Sequence, residues 1–405
     1  MAILLIGTLD TKGAEIGFVR DLLLGQGLTV RVMDVGSIGE PTIRPDIGRE
    51  EVFRAARTSA ALVQAKRDRG QAVTLAAAGA ATLALSMHAK GEVDGILSLG
   101  GSAGTTIGTA AMRALPYGVP KLMVSTLASG QVAPFVGVRD ITMMHSVVDL
   151  CGLNRFSRMV LTRAAGAMAG MVRQPLPAPA APELALVAAS MFGVTTPCVD
   201  RARGLVEAAG FEVLVFHATG TGGRTMEAMI RDGLISGVLD ITTTELADEL
   251  VGGILSAGNE RLTAAAIKRI PQVISVGALD MVNFGPRATV PERFKDRRFY
   301  QHNENVTLMR TTPEENDRLG KEIAEKASAS GGPTLVLLPL RGVSAIDRED
   351  SSFWWPEANQ ALFQSIRNWV GPWVNVEEMD MHINDDAFAE RAATWLTGAM
   401  GRHIK

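Results

Sequence analysis

The 405-residue chain is too long for one ordinary core, and at 47% hydrophobic residues it can fill two. A formal net charge of -3, with Lys and Arg spread along the chain, argues against nucleic acid as the main partner. Cys151 and Cys198 cannot form a disulfide framework and make no metal-ligand pattern with the six histidines, which fits a reducing cytoplasmic setting.

The N-terminal apolar run lacks a basic flank and ends at Gly7, so it reads as a first strand, residues 3–6, and not as a signal peptide. The alanine-rich stretch 72–87 is too short for a confident membrane span, so no membrane association is expected. A helix over residues 12–24 carries Ile16, Val19, Leu22 and Leu23 on one face and stops at Gly25 and Gly27. A strand over 28–33, ending at Asp34, completes a right-handed βαβ unit. Two helices follow, over 49–66 and 69–90.

Residues 93–112 form the next junction: a buried strand, the break Gly100-Gly101-Ser102-Ala103-Gly104, then a helix opening at Thr105-Thr106. Such a junction aims unpaired backbone N–H groups at one point, where an anion binds without a dedicated basic side chain. The loop matches neither the Walker pattern nor G-x-G-x-x-G, and a plain packing turn remains the alternative. A fourth strand ends at Ser125, and the proline-rich stretch 174–183 reads as a linker between domains over 1–173 and 184–405.

The first unit returns 183 positions later without a gap over more than thirty residues. Residues 93–100 then resemble 235–242, residues 119–125 resemble 270–276, and residues 141–144 resemble 306–309. The expected fold class is therefore α/β, with two Rossmann-like parallel-sheet halves related as an internal repeat. In the second half Thr312-Pro313-Glu314-Glu315 predicts a capped helix to about residue 329, followed by strands over 334–338 and 374–378 and helices over 357–369 and 386–400.

Ligands of open parallel sheets bind beyond the carboxyl ends of the strands, where the notable residues gather. For a nucleotide these are Thr8, Asp10, Thr11, Lys12, Asp34, Gly100, Gly101, Ser102, Gly104, Thr105, Thr106 and Ser125. Asp34 stands where an acid accepts ribose hydroxyls, Lys12 is a point charge for a phosphate, and Asp10 is a candidate for holding Mg2+ through water. The second half offers Gly193, Thr195, Thr219, Gly220, Gly222, Gly223, Thr242, Thr243, Thr244 and Asn283 for a second ligand in the inter-domain cleft. His217, Glu245 and Asp280 are its acid–base candidates.

The strings GTLDTKGAE (7–15), SLGGSAGTT (98–106), SVVDLCG (146–152), FHATGTGGRTME (216–227), LDITTTE (239–245) and SVGALDMVNFG (275–285) resemble the ATP-binding domain family shared by the tomato mosaic virus resistance protein and its bacterial relatives. The resemblance spans essentially the whole chain. It implies a two-lobed Rossmann-like fold, ATP binding and a homodimer. It also implies a stand-alone form working beside a separately encoded TIM-barrel partner, because the plant protein carries a further barrel-like domain. The expectation is an ATP-binding protein, with Mg2+, that transfers or hydrolyses a phosphoryl group. The alternatives are a metabolic enzyme doing acid–base chemistry on a small phosphorylated metabolite in the second half, or a non-catalytic nucleotide-responsive assembly module.

Overall fold

The computed structural model describes residues 1–175 and 183–403. Pro177, Pro179 and Pro182 of the expected linker lie outside the described residues. The chain divides into two compact units, Met1–Ala178 and Pro179–Lys405.

The first unit contains β1 (Ala2–Gly7), α1 (Leu9–Gly25), β2 (Thr29–Asp34), α2 (Arg49–Ala55), α3 (Ala60–Lys66), α4 (Arg69–Ala89), β3 (Gly95–Gly100), α5 (Ser102–Ala114), β4 (Lys121–Ser125), α6 (Ala133–Val136), β5 (Thr142–His145) and α7 (Arg155–Arg173). Its sheet is parallel in the order β2-β1-β3-β4-β5. The continuous apolar run of β1 is explained by cover on both faces. Ile3 and Leu5 pack with Ile16 and Val19 of α1 and with Leu161 of α7, whereas Leu4 and Ile6 pack with α2, α4 and Ile107 of α5. The helices after β1 and β3 therefore leave on opposite faces, and the loops between strand and helix part from one another there.

Four local features differ from the sequence expectation, the first of which is that α5 opens at Ser102 and not at Thr105. The helix expected over 49–66 is two helices, because Arg57 turns at φ 60° and Ser59 caps α3 by accepting the N–H of Leu62. Helix α1 begins earlier, at Leu9, and is irregular at Lys12 (φ -129°, ψ 18°); the Leu9 carbonyl is taken by the Thr42 N–H and hydroxyl. Helix α4 is long and apolar enough to cross a membrane by length and composition. Here Ala72, Ala76, Ala80 and Ala84 are buried in the core, and a β-carbon on Gly79 would stand 2.0 Å from the Val52 carbonyl, so the helix packs backbone to backbone against α2.

The second unit contains β6 (Leu186–Met191), α8 (Thr196–Ala208), β7 (Glu212–His217), α9 (Thr221–Arg231), β8 (Gly237–Thr242), α10 (Glu245–Val251), α11 (Ala264–Lys268), β9 (Gln272–Gly277), β10 (Met281–Phe284), β11 (Phe299–Asn303), β12 (Val306–Arg310), α12 (Pro313–Ser328), β13 (Thr334–Pro339), α13 (Pro356–Trp369), β14 (Asn375–Met379) and α14 (Asp386–His403). The parallel sheet runs β14-β13-β9-β8-β6-β7, and β10-β12-β11 form a separate antiparallel sheet. The box at Thr312 closes: its hydroxyl accepts the Glu315 N–H at 3.2 Å, and the Glu315 carboxylate accepts the Thr312 N–H at 2.8 Å.

The order β7-β6-β8-β9-β13 repeats β2-β1-β3-β4-β5, so each unit is a Rossmann-like half. One matched pair fails. Residues 306–309 form β12 of the antiparallel insert, and the positional counterpart of β5 is β13.

Candidate functional site

The parting loops of the first unit enclose a cavity of about 300 Å³ at the carboxyl end of the sheet. Thr8, Asp10, Thr11 and Lys12 line it from the loop after β1 and the start of α1; Gly100, Gly101, Ser102 and Gly104 line it from the end of β3 and the start of α5. At its wall α5 starts without a side-chain cap, because its N-cap residue is Gly101. The first N–H groups of that helix, those of Ser102, Ala103 and Gly104, have no partner within the helix, and the positive end of the helix dipole faces the cavity.

Two cations border the same space. Lys12 is half-buried, Arg69 opens α4, and among the described residues neither takes part in an ion pair or hydrogen bond through its side chain. A half-buried ammonium beside an uncapped helix start is an arrangement that an anion relieves.

Several expected site residues are held within the frame of this site. Asp34 is 1% exposed; its carboxylate accepts the Leu9 N–H at 3.1 Å and the Gly36 N–H at 2.9 Å, and pairs with Arg49 at 2.8 Å. Asp10 lines the cavity, but its Oδ2 accepts the N–H groups of Ile38 at 3.0 Å and Gly39 at 3.2 Å. These two acids and Arg49, which donates to the Gly39 carbonyl, strap the turn over residues 36–39 against the loop after β1. Asp10 is thus a loop anchor in this geometry. Among the described residues no group of three or more His, Cys, Asp or Glu side chains is placed to hold a metal. Thr105 donates to the Gly101 carbonyl or bonds Ser125, 2.7 Å away, and Thr106 donates to the Ser102 carbonyl. The Thr105 and Thr106 hydroxyls expected to face a phosphate are therefore engaged locally.

Sequence reasoning missed Ser37, Ile38, Arg69 and Asp149, which also line the cavity. Arg69 carried one signal, a cation in the first turn of a helix, where the dipole disfavours it.

In the second unit the corresponding polar residues form a buried network. Glu245 is fully buried; one carboxylate oxygen accepts the N–H groups of Gly220 (2.7 Å) and Gly223 (3.0 Å) at the start of α9, and the other accepts Arg261 Nε at 2.6 Å. The helix start is thus capped by the chain's own carboxylate. Gly223 is required there, since a β-carbon would fall 2.1 Å from Glu245 Oε2. Arg261 also meets Asp240 at 2.6 Å and Glu227 at 3.5 Å, all nearly or fully buried. Burial raises the Glu227 carboxyl above its usual range.

Thr195 and Thr242 share a 2.7 Å hydroxyl contact, Thr243 donates to Ser275, Thr244 donates to Met281, and Thr219 donates to the His217 carbonyl. Gly222 lies so close to the His217 carbonyl that a β-carbon would be 1.8 Å from it, and Gly193 sits in a short 3-10 turn before α8. The Asn283 side chain donates to Asp248 at 2.7 Å. Asp280 is buried beside Asp347 and Arg310, accepts Ser344 at 2.8 Å, and is pushed up to about 7 by burial. Of the three acid–base candidates only His217 is exposed; its ring stacks on Phe192, and Nδ1 lies 3.1 Å from the Met191 carbonyl.

Comparison with known proteins matches the two units separately. Residues 1–177 match the N-terminal domain model, and residues 185–400 the C-terminal domain model, of the uncharacterised protein family UPF0261. A UPF0261 protein of Clostridium tetani is 49% identical over 403 residues, covering 98% of each chain. One from Mesorhizobium japonicum is 46% identical, covering 97% of this chain and 98% of its own. The ToMV resistance protein Tm-1 of Solanum lycopersicum is 43% identical over 327 residues, which are 79% of this chain and 43% of the tomato protein.

Proposed function

The chain belongs to the UPF0261 family, and for it we propose nucleotide binding, with ATP as the ligand, in the cavity of the first unit. The observation that carries this reading is the uncapped start of α5 facing the half-buried Lys12, which has no side-chain partner among the described residues, across a cavity of about 300 Å³. Backbone N–H groups, a helix dipole and two cations suit a polyphosphate, and glycines at 100, 101 and 104 let it approach the backbone.

Were magnesium to enter with the phosphates, Asp10 would have only Oδ1 to offer it through water, because Oδ2 is already engaged by two N–H groups. The geometry supports binding and positioning. Glu245 and Asp280 are buried within the second unit and support no acid–base reading there. Calorimetric titration with ATP, with and without Mg2+, tests the proposal. Saturable binding supports it, and heats indistinguishable from dilution reject it.

A further inference from the structure

A second cavity, of about 480 Å³, adjoins the first. The two share Ser37, Ile38, Arg69 and Ala72 as a common wall, so a ligand whose phosphates lie at α5 continues past Ile38 into the second. Its lining mixes two chemistries. Val63 and Ala72 form the buried floor of the lining, and Ile38, 75% exposed, supplies its open apolar surface. Around this surface stand Gln64, Arg67 and Arg69. Asp68, also in the lining, already caps α4 by accepting the Gln71 N–H at 3.0 Å. Among the described residues no hydrogen bond engages the Gln64 amide or the two guanidinium groups.

An apolar floor, planar cations that stack on aromatic faces, and an amide with one donor and one acceptor suit a flat heteroaromatic base. We propose that this second cavity receives the base of the nucleotide and that Gln64 is its specificity-determining residue. The inference rests on the phosphate reading above and adds to it. A carboxamide satisfies the donor and acceptor that adenine presents side by side at N6 and N7, whereas guanine presents two acceptors at O6 and N7. Gln64 therefore favours adenine. Ile38 contributes contact area to either purine.

The test is calorimetry on the full chain with ATP, GTP and inorganic triphosphate as probes, using wild type, Gln64→Ala and Ile38→Ala. Both residues are exposed, and circular dichroism checks that the variants fold. For Gln64→Ala the expected result is ATP binding weakened about tenfold, with GTP and triphosphate within about twofold of wild type. For Ile38→Ala both nucleotides weaken and triphosphate does not. Variants that bind ATP like wild type, variants that lose triphosphate as strongly as ATP, or a wild type that binds triphosphate but not ATP each overturn the base assignment and leave the phosphate reading standing. A wild type that binds neither ATP nor triphosphate overturns both.

Discussion

Asp10 Oδ2 accepts the backbone N–H of Ile38 at 3.0 Å, so an acid in the first turn of α1 holds the backbone that carries an exposed apolar side chain at the wall shared by two cavities. An anchor and a metal ligand respond differently to substitution. Asp10→Asn keeps an acceptor for the turn and is expected to bind ATP nearly as wild type does, with the same dependence on Mg2+. Asp10→Ala releases Ile38 and Gly39 and is expected to weaken ATP about tenfold, the scale of one or two lost hydrogen bonds. Calorimetry at two Mg2+ concentrations separates the two roles.

Gly101 and Gly100 should behave as opposites. A β-carbon on Gly101 meets only the Thr126 hydroxyl at 3.7 Å, an ordinary contact, whereas one on Gly100 comes within 2.8 Å of Gly104 Cα. Gly101→Val is expected to fold with a thermal midpoint within a few degrees of wild type and to bind ATP at least about tenfold more weakly, since its branches crowd the helix start. Gly100→Val is expected to lower the midpoint itself. Thermal unfolding paired with titration reads both effects.

Arg261 is the cation of a buried group with Asp240, Glu245 and Glu227. Removing it leaves three carboxylates without their counter-charge, and breaking buried pairs of this kind costs about 3–5 kcal/mol. Arg261→Met is expected to destabilise the second unit on that scale, measured as a shift of its urea transition.

The second unit should also lose stability as pH rises. Burial raises the Asp248 carboxyl from 3.8 to about 7, and Asp280 shifts in the same direction. Between these values the folded chain holds protons that the unfolded chain has released, so the stability present below pH 4 declines as pH rises through about 7 and then levels off. The buried and unpartnered Asn283 Oδ1 offers an acceptor for the Asp248 proton once that amide turns over. Asp248→Asn mimics the protonated acid and is expected to flatten the profile. Thermal midpoints at pH 5 and pH 8 check this; an equal drop in variant and wild type would contradict it.

The sheets were legible because strands covered on both faces read as short continuous apolar runs. The run at residues 3–6 and the box at 312–315 stand where the sequence places them, whereas the break at 100–104 is shorter than expected, because α5 already opens at Ser102. The match of residues 306–309 misled, because short apolar strands look alike whether they join a parallel sheet or an antiparallel insert. In the first-unit cavity the loop residues were legible, but Ile38 and Arg69 were not. They come from the stretch between β2 and β3, which carries α2, α3 and α4 where the second unit has the shorter α9, so the repeat did not call attention to them. Residue type alone also could not tell a facing group from a spent one. Thr105, Asp34 and Glu245 have suitable chemistry, yet nearby backbone and side chains engage it first.

The most direct test is calorimetric titration of the full chain with ATP beside Lys12→Ala. Lys12 is half-buried with no side-chain partner among the described residues, so its loss should leave the fold unchanged and remove one charge from the phosphate site. The account predicts saturable ATP binding by wild type and about tenfold weaker binding by the variant, roughly 1.4 kcal/mol. Equal affinities in the two proteins, or no binding by wild type, would contradict it.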